Sequence, residues 1–205
     1  MKKNKICPNE YEHQFWQEHK YIVGIDEAGR GPLAGPLCVA GVVFEIGDEN
    51  PLIYDSKALT EKKREELFDW ILEDALYYEI KLVEPEEIDR LNIYRATQKS
   101  MLEIAGDLPA EIVLTDAMPL EMDKTVIPLV KGDQKSVSIA AASILAKVTR
   151  DRLMVEYDKI YPGYGFAKHK GYPTKEHLEA IDRLGITPIH RRSYGPVAAR
   201  QQTLF

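Results

Sequence analysis

The stretch Tyr21-Ile22-Val23-Gly24-Ile25-Asp26-Glu27-Ala28-Gly29-Arg30-Gly31-Pro32-Leu33-Ala34-Gly35-Pro36 decides the reading of this 205-residue chain. Its first half clusters β-branched and aromatic residues and reads as a buried strand that Gly29 brings to an end. Its second half, residues 29–36, is a loop punctuated by Gly and Pro. Two adjacent carboxylates, Asp26 and Glu27, stand where strand gives way to loop. Neighbours in a regular strand point to opposite faces, so both can serve one site only if the strand is ending there. The glycines would also let the backbone approach a ligand closely; a plain tight turn is the alternative.

Working outward, residues 8–20 read as a short polar helix or lead-in anchored by Phe15 and Trp16. Leu37 to Glu45 is a second apolar strand, with turn chemistry from Gly47 to Pro51. The period then changes. Thr60 is a candidate N-cap, with Lys63 where a capping box would place Glu, and Leu67, Phe68, Ile71 and Leu72 recur at helical spacing. Tyr77 to Val83 alternates as a third strand, and Ile93 to Ile104 forms a helix. Glu111 to Thr115 is a fourth strand ending at Asp116, and Val126 to Val130 a fifth ending just before Lys131-Gly132-Asp133. The strongest helix signal is Ser138 to Tyr157, whose small apolar first half predicts close approach to another element. Pro162, Gly163 and Gly165 break that helix, and Thr174 caps another from Lys175 to Leu184. Three early strands joined by tight connections, followed by helix–strand alternation, predict an α/β fold with a five-stranded mixed sheet flanked by helices.

With 44% hydrophobic and 29% charged residues, the chain can bury one sizeable core. The longest apolar stretches, Pro36 to Phe44 and Ile139 to Leu145, are far shorter than the ~20 residues a membrane-crossing helix needs. Met1-Lys2-Lys3-Asn4-Lys5 resembles the start of a signal peptide but runs into Cys7-Pro8-Asn9-Glu10 rather than an apolar segment, so secretion is not expected. The two cysteines, Cys7 and Cys38, have no metal-type spacing, and a reducing cytoplasm is the expected setting. The net charge of −6 hides an asymmetry: residues 1–130 carry 14 Lys/Arg against 26 Asp/Glu, whereas 131–200 carry 13 against 7. The basic third is where a polyanion would bind, although ordinary solvated surface gives the same pattern.

Four carboxylates lie at strand ends or just beyond: Asp26, Glu27, Asp116 and Asp133. Unpaired acids buried together cost several kcal/mol per charge, so they call for cations. Oxygen-only ligation suits Mg²⁺ or Mn²⁺ better than zinc, since no His or Cys stands near these positions. Taken singly, an acid at a strand end such as Asp116 or Asp133 is more often a solvated turn residue than a ligand. Asp26 carries more weight because it ends an apolar strand and enters a Gly-Arg-Gly loop.

The run Gly24 to Gly35, together with Asp55-Ser56-Lys57, Lys131-Gly132-Asp133, Ala141 to Asp151, Tyr164-Gly165-Phe166 and His169-Lys170-Gly171-Tyr172-Pro173-Thr174, resembles bacterial ribonuclease HII from about Tyr21 to Val197. The resemblance implies an RNase H-like fold over residues 21–160 after a lead-in (1–20), and a small helical C-terminal extension over 161–200. It implies hydrolysis of the RNA strand of RNA–DNA hybrids and cleavage at ribonucleotides embedded in duplex DNA. By position, the family's metal-binding and catalytic acids fall on Asp26, Glu27, Asp116 and Asp133, with Asp26 bridging. Asp151 is the rival for the fourth place, but on a helix it can pair with Lys147 one turn earlier. The family more often has an aliphatic residue where Thr115 stands, a departure that leaves the ligand assignment intact.

Two ions about 4 Å apart would then act on one phosphodiester, leaving 5′-phosphate and 3′-hydroxyl ends. The resemblance assigns reading of the ribose 2′-hydroxyl to Gly29, Arg30 and Gly31, and contact with the RNA–DNA junction to Tyr172. Candidate phosphate contacts are Ser56, Lys57, Ser143, Lys147, His169, Lys170, Arg191 and Arg192. The tail Gln201-Gln202-Thr203-Leu204-Phe205 looks like peptides that dock into the bacterial sliding clamp, or is an ordinary frayed terminus. The enzyme is otherwise expected to be a monomer. Ribonuclease HIII is the nearest rival; Arg30 stands where that group has lysine, and no long substrate-binding segment precedes Tyr21. A non-catalytic nucleic-acid-binding module would be expected to have lost some of the four acids, and an acidic metal-storage protein would not need the Gly-Arg-Gly loop.

Overall fold

The computed structural model describes residues 9–18, 20–48, 53 and 59–201, the side chain of Gln201 excepted. Helix α1 (Glu10–Trp16) leads into strands β1 (Ile22–Ala28) and β2 (Leu37–Val43), then helix α2 (Glu61–Asp74) and strand β3 (Tyr77–Val83). Helices α3 (Pro85–Leu91) and α4 (Ile93–Asp107) precede strands β4 (Ile112–Asp116) and β5 (Thr125–Leu129). The long helix α5 (Val137–Ile160) is followed by α6 (Phe166–His169), α7 (Lys175–Leu184) and α8 (Gly195–Gln201). The five strands form one sheet in the order β3-β2-β1-β4-β5. Pairs β1–β2 and β2–β3 are antiparallel, whereas β1–β4 and β4–β5 are parallel. The expected mixed α/β sheet is therefore present. Only the β1–β2 connection is tight, however, because α2 lies between β2 and β3. Helix α3 was not expected, although Pro85 at its first turn is a start signal.

The anticipated caps are present. Thr60 Oγ1 accepts from the Lys63 amide at 3.2 Å and Thr174 Oγ1 from the His177 amide at 3.2 Å. Helix α5 starts at Val137, one residue before the expected Ser138, with Ser136 as its cap. Glu12 from α1 reinforces that start: its Oε1 accepts from Ser136 Oγ at 2.5 Å and from the Ser138 amide at 3.1 Å. A carboxylate there satisfies amide groups that the helix itself leaves unpaired and complements the positive end of its dipole.

Two hydrophobic layers cover the sheet. On one face Cys38, Ala40 and Val42 of β2 pack against Ala140, Ile144 and Leu145 of α5 and Phe68 and Ile71 of α2. On the other, Val23, Ile25, Val39 and Val43 pack against Met101, Ile104 and Ala105 of α4. The small-residue half of α5 does approach its neighbour closely. A Cβ on Gly24 would fall 2.2 Å from both the Ile139 nitrogen and the Ser138 carbonyl carbon, so strand β1 meets the backbone of α5 with no side chain between.

Helices α6 to α8 gather around a separate cluster containing Tyr164, Phe166, Ile181 and Val197, into which Leu33 and Ala34 from the loop after β1 insert. Backbone bonds fasten that loop to the C-terminal region: Leu33 N to Gly171 O at 2.8 Å, Gly35 N to Ile189 O at 2.9 Å, and Arg191 N to Leu33 O at 2.8 Å. No helix among the described residues is long and apolar enough to cross a membrane.

Two glycines should respond oppositely to alanine. At Gly24 the new methyl meets helix backbone, and Gly24→Ala is expected to lower stability by about 1–3 kcal/mol or more, as overpacking does. At Gly106, on the exposed side of α4, a Cβ meets nothing within 4 Å; Gly106→Ala should add about 0.5–1 kcal/mol. Urea unfolding midpoints measure both, and a neutral Gly24→Ala would refute the close β1–α5 contact.

Candidate active site

The site is built on the carboxyl ends of two neighbouring parallel strands. Pairing of β1 with β4 runs from Ile22↔Ile112 to Ile25↔Thr115, and Asp26 and Asp116 are the next residue on each strand. On its other side β1 continues, paired with β2 as far as Ala28↔Cys38. The strand therefore does not end at Asp26, as the sequence suggested. Both Asp26 and Glu27 reach the cleft because β1 outruns β4 there and exposes one edge.

Asp26 shares the face of Gly24, two residues earlier. Two strand residues span about 6.6 Å and four helix residues about 6 Å, so the Gly24–Ile139 contact carries Asp26 alongside Ser143. Ser143 indeed hydrogen-bonds the Asp26 carboxylate, and the Glu27 amide donates to Asp26 Oδ1 at 2.7 Å. Asp26 is only 4% exposed. Burial, followed by the charges of Glu27 and Asp116, raises its pKa well above the usual carboxylate value; the Ser143 bond opposes the rise.

Asp116 is fixed by two turns in the left-handed region at non-glycine residues, Ala117 (φ 58°) and Lys131 (φ 58°). Such residues cost about 1–3 kcal/mol and persist only where their surroundings hold them. Here the Gly132 amide donates to Asp116 Oδ1 at 2.8 Å, and the Ala117 amide to Leu129 O at 3.1 Å. The buried Thr115 hydroxyl donates to Met118 O at 2.6 Å, so the departure from an aliphatic residue ties down the turn after Asp116.

A cleft of about 470 Å³ is lined by Asp26, Glu27, Asp116, Gly29, Arg30, Gly31, Ser143, Lys147 and Tyr172, and also by Ala28, Arg64 and Arg150. The sequence reading singled out nine of these and missed the last three. Ser143, Lys147 and Arg150 stand at i, i+4 and i+7, one face of α5, so helical spacing alone could have found Arg150. Arg30 Nη1 lies 3.5 Å from Glu27 Oε1, an exposed contact of little energetic weight. Tyr172 is 42% exposed, and a Cβ on Gly31 would sit 3.5 Å from its ring, in van der Waals contact.

Other candidates fall elsewhere. Asp133 lies in a single 3₁₀ turn, Gly132–Gln134, next in sequence to the Gly132 that holds Asp116, buried to 2% exposure and not on the cleft wall. Asp151 accepts from Lys147 Nζ at 2.9 Å, the pairing expected of it. His169 faces inward, its Nε2 bonded to Tyr164 O at 2.7 Å. Arg191 is fully buried and donates to Gly35 O at 3.0 Å and Arg30 O at 3.1 Å. Neither presents itself to a phosphate, a correction to the sequence reading: aromatic packing and backbone acceptors hold them inside. Lys170 Nζ is 2.5 Å from Ala167 O, and the Arg192 amide donates to Asp89 Oδ2 at 2.8 Å. Ser56 and Lys57 lie outside the described residues, as do Gln202 to Phe205 and the Gln201 side chain.

Among the described residues, no group of three His, Cys, Asp or Glu side chains is placed to hold a metal ion by itself. Asp26, Glu27 and Asp116 instead line one open cleft as an acidic set. That suits a hard cation whose shell is completed by water and a substrate phosphate, since Mg²⁺ is commonly held by only one or two carboxylates.

Comparisons with known proteins identify the family. The family model for ribonuclease HII matches residues 23–197. Curated relatives named ribonuclease HII include one from Clostridioides difficile, 52% identical over 190 residues covering 91% of this chain and 74% of the relative. One from Listeria monocytogenes is 50% identical over 191 residues, covering 92% and 73%. Among solved structures, the ribonuclease H2 of Pyrococcus horikoshii superposes with a TM-score of 0.74 at 28% identity, covering 89% of this chain and 98% of that one. The ribonuclease HII in a PCNA complex from Archaeoglobus fulgidus gives 0.73 at 29%, covering 85% and 95%. A ribonuclease HIII, Bst-RNase HIII with Mn²⁺, gives 0.71 at 15% identity, covering 95% and 72%, a likeness of fold alone. A family match over most of the chain, with relatives at half identity, means that this chain belongs to the ribonuclease HII family, the type 2 ribonucleases H.

Proposed function

We propose that the protein is an endoribonuclease that hydrolyses the RNA strand of RNA–DNA hybrids and also cuts at single ribonucleotides in duplex DNA, leaving 5′-phosphate and 3′-hydroxyl ends. One observation carries this reading: the acids Asp26, Glu27 and Asp116 share a cleft with the Gly29–Gly31 loop and Tyr172, so phosphate chemistry and sugar recognition are adjacent. The catalytic unit in this reading is residues 21–160, after a lead-in of residues 1–20, and residues 161–200 are an extension that brings Tyr172 to it. The cytoplasm is its proposed location, on the cysteine content.

Asp26, Glu27 and Asp116, with Asp133 from the turn that holds Asp116, are the residues that would hold two divalent ions, Mg²⁺ or Mn²⁺. Such ions supply an activated water for in-line attack and charge stabilisation for the leaving 3′ oxygen. The chain's own contribution is placement. Ser143 and the Glu27 amide orient Asp26, and the Gly132 amide orients Asp116. The glycine loop offers backbone groups at hydrogen-bonding reach of a 2′-hydroxyl, the group that separates RNA from DNA. Tyr172, against Gly31, would meet the same ribose and the following sugar. Lys147 and Arg64 on the rim, with Lys170 and Arg192 further out, would position the phosphate backbone without reading sequence.

The tail from Gln201 to Phe205 is proposed to dock on the sliding clamp. The Archaeoglobus fulgidus relative in complex with PCNA supports a clamp interaction in the family.

Three outcomes test this reading. Wild-type protein with Mg²⁺ or Mn²⁺ should cut a duplex containing one ribonucleotide, with end-labelling showing 5′-phosphate, while Asp26→Asn should lose on the order of 10³-fold in rate, the equivalent of several kcal/mol of charge stabilisation. Intact duplex after incubation with wild type would sink the proposal. The second outcome is a stability profile. Because the folded pKa of Asp26 is raised, its contribution is fully present below the unfolded value near 3.9 and is lost as pH rises through the folded value, about 1.4 kcal/mol for each tenfold difference in proton affinity. Without divalent ions, wild type should thus lose stability relative to Asp26→Asn as pH rises above about 4, and Mn²⁺ should restore wild type selectively; parallel melting profiles would contradict this. Thirdly, deleting residues 201–205 should abolish co-purification with the clamp and leave cleavage of the free duplex unchanged.

A further inference from the structure

Among the described residues, Arg150 and Arg191 are the largest fully buried side chains, and no carboxylate lies within ion-pair distance of either. A buried cation without a counter-ion costs several kcal/mol, so its hydrogen bonds must be specific ones. Those of Arg150 all go to main-chain carbonyl oxygens: Nε to Pro36 at 2.9 Å, Nη2 to Ala34 at 3.1 Å, and Nη1 to Lys170 at 3.0 Å. Burial lowers its pKa, with Arg191 adding to the effect, but only to about 10, so it stays charged at neutral pH.

The destinations of these bonds are informative. Pro36 and Ala34 close the loop that begins with Gly29, while Lys170, itself left-handed at φ 51°, stands two residues before Tyr172. One planar guanidinium therefore bridges the loop and the tyrosine turn, and a face of it also lines the active-site cleft. The loop is fitted to it: a Cβ on Gly29 would lie 2.2 Å from Arg150 Nε and 2.5 Å from its Cδ. Gly29 is thus required by its φ of 101° and again by the arginine beneath it. A lysine could not replace this fork, because one ammonium on a flexible stem cannot reach three fixed carbonyls.

We propose that Arg150 is a positioning residue that sets specificity, by holding the 2′-hydroxyl-reading loop and Tyr172 at one fixed separation. This rests on the function proposed above. A single ribonucleotide in DNA offers one ribose and one following deoxyribose, so loop and tyrosine must be in register at the same step. A continuous RNA–DNA hybrid offers a ribose at every step, so a small loss of register is tolerated. Affinity, supplied by phosphate contacts elsewhere, should change little.

The test compares wild type, Arg150→Met and Arg150→Lys on two duplexes, one with a single embedded ribonucleotide and one a continuous hybrid, with Mn²⁺. Expected for both variants is a fall in kcat on the single-ribonucleotide duplex of up to ~10²-fold, as for a misplacement of about 1 Å, with KM within about threefold and a smaller fall on the hybrid. The ratio of kcat/KM between the two substrates is the reading that matters, because a loss of folded protein lowers both rates equally and leaves it unchanged. Arg150→Lys keeps the charge and carries the test should Arg150→Met fail to fold. A ratio within about twofold of wild type would overturn the proposal. Failure of wild type itself to cut the single-ribonucleotide duplex would instead overturn the underlying functional reading.

Discussion

The contact between Gly24 and the first turn of α5 is the constraint from which the active site follows. With backbone against backbone, neither sliding nor tilting of β1 on the helix is cheap, because protein interiors transmit displacement rather than absorb it. Asp26 then has one place to be, next to Ser143. The parallel register with β4 brings Asp116 to the same level, one residue past the last pair. Glu12 and Ser136 pin the near end of α5, so the helix is fixed by its cap as well as by packing.

Around this scaffold the charges are segregated. The acids stand on the strand ends and in the cleft, whereas two arginines sit behind the loop that forms its wall. Burial of Asp26, and then the nearby charges of Glu27 and Asp116, disfavour its ionised form, which is why it binds its proton tightly. Arg150 lessens a comparable penalty by donating to carbonyl oxygens that the loop and the turn before Tyr172 would otherwise leave unsatisfied. Each arginine thus organises backbone. Arg191 does for Arg30 and Gly35 what Arg150 does for Ala34 and Pro36.

Much of this could be read from the residues. The periodicities of β1, β2, α4 and α5, and the caps at Thr60 and Thr174, are local signals, and local signals survive folding. The acids were legible because Asp26 and Asp116 each close an apolar run. The misreadings share a cause: exposure is not local. His169 and Arg191 lie in a basic stretch that looks like surface, and only the docking of α6 to α8 on Leu33 and Ala34 turns them inward. Helical spacing puts Arg150 on the Ser143 face of α5, but nothing in the sequence reveals that carbonyls 114 and 116 residues away in the chain converge on it. The continuation of β1 past Asp26 was hidden for the same reason, because it depends on β2 pairing where β4 has stopped.

The inward histidines complete the support of Tyr172, and their bonds fix their protonation. His177 Nδ1 lies 2.9 Å from Tyr172 O, so it carries a proton and donates. Its Nε2 then accepts from His190 Nε2 at 3.1 Å, and His190 Nδ1 accepts from the Thr187 amide at 2.9 Å. A further proton on either ring would set two N–H groups against each other. Burial argues in the same direction and lowers both pKa values to about 4. Neutral His177, itself held by neutral His190, therefore fixes the tyrosine's carbonyl, while a charged guanidinium fixes that of Lys170. The division is physically sensible: a third buried cation beside Arg150 and Arg191 would add repulsion, whereas neutral imidazoles supply direction without charge.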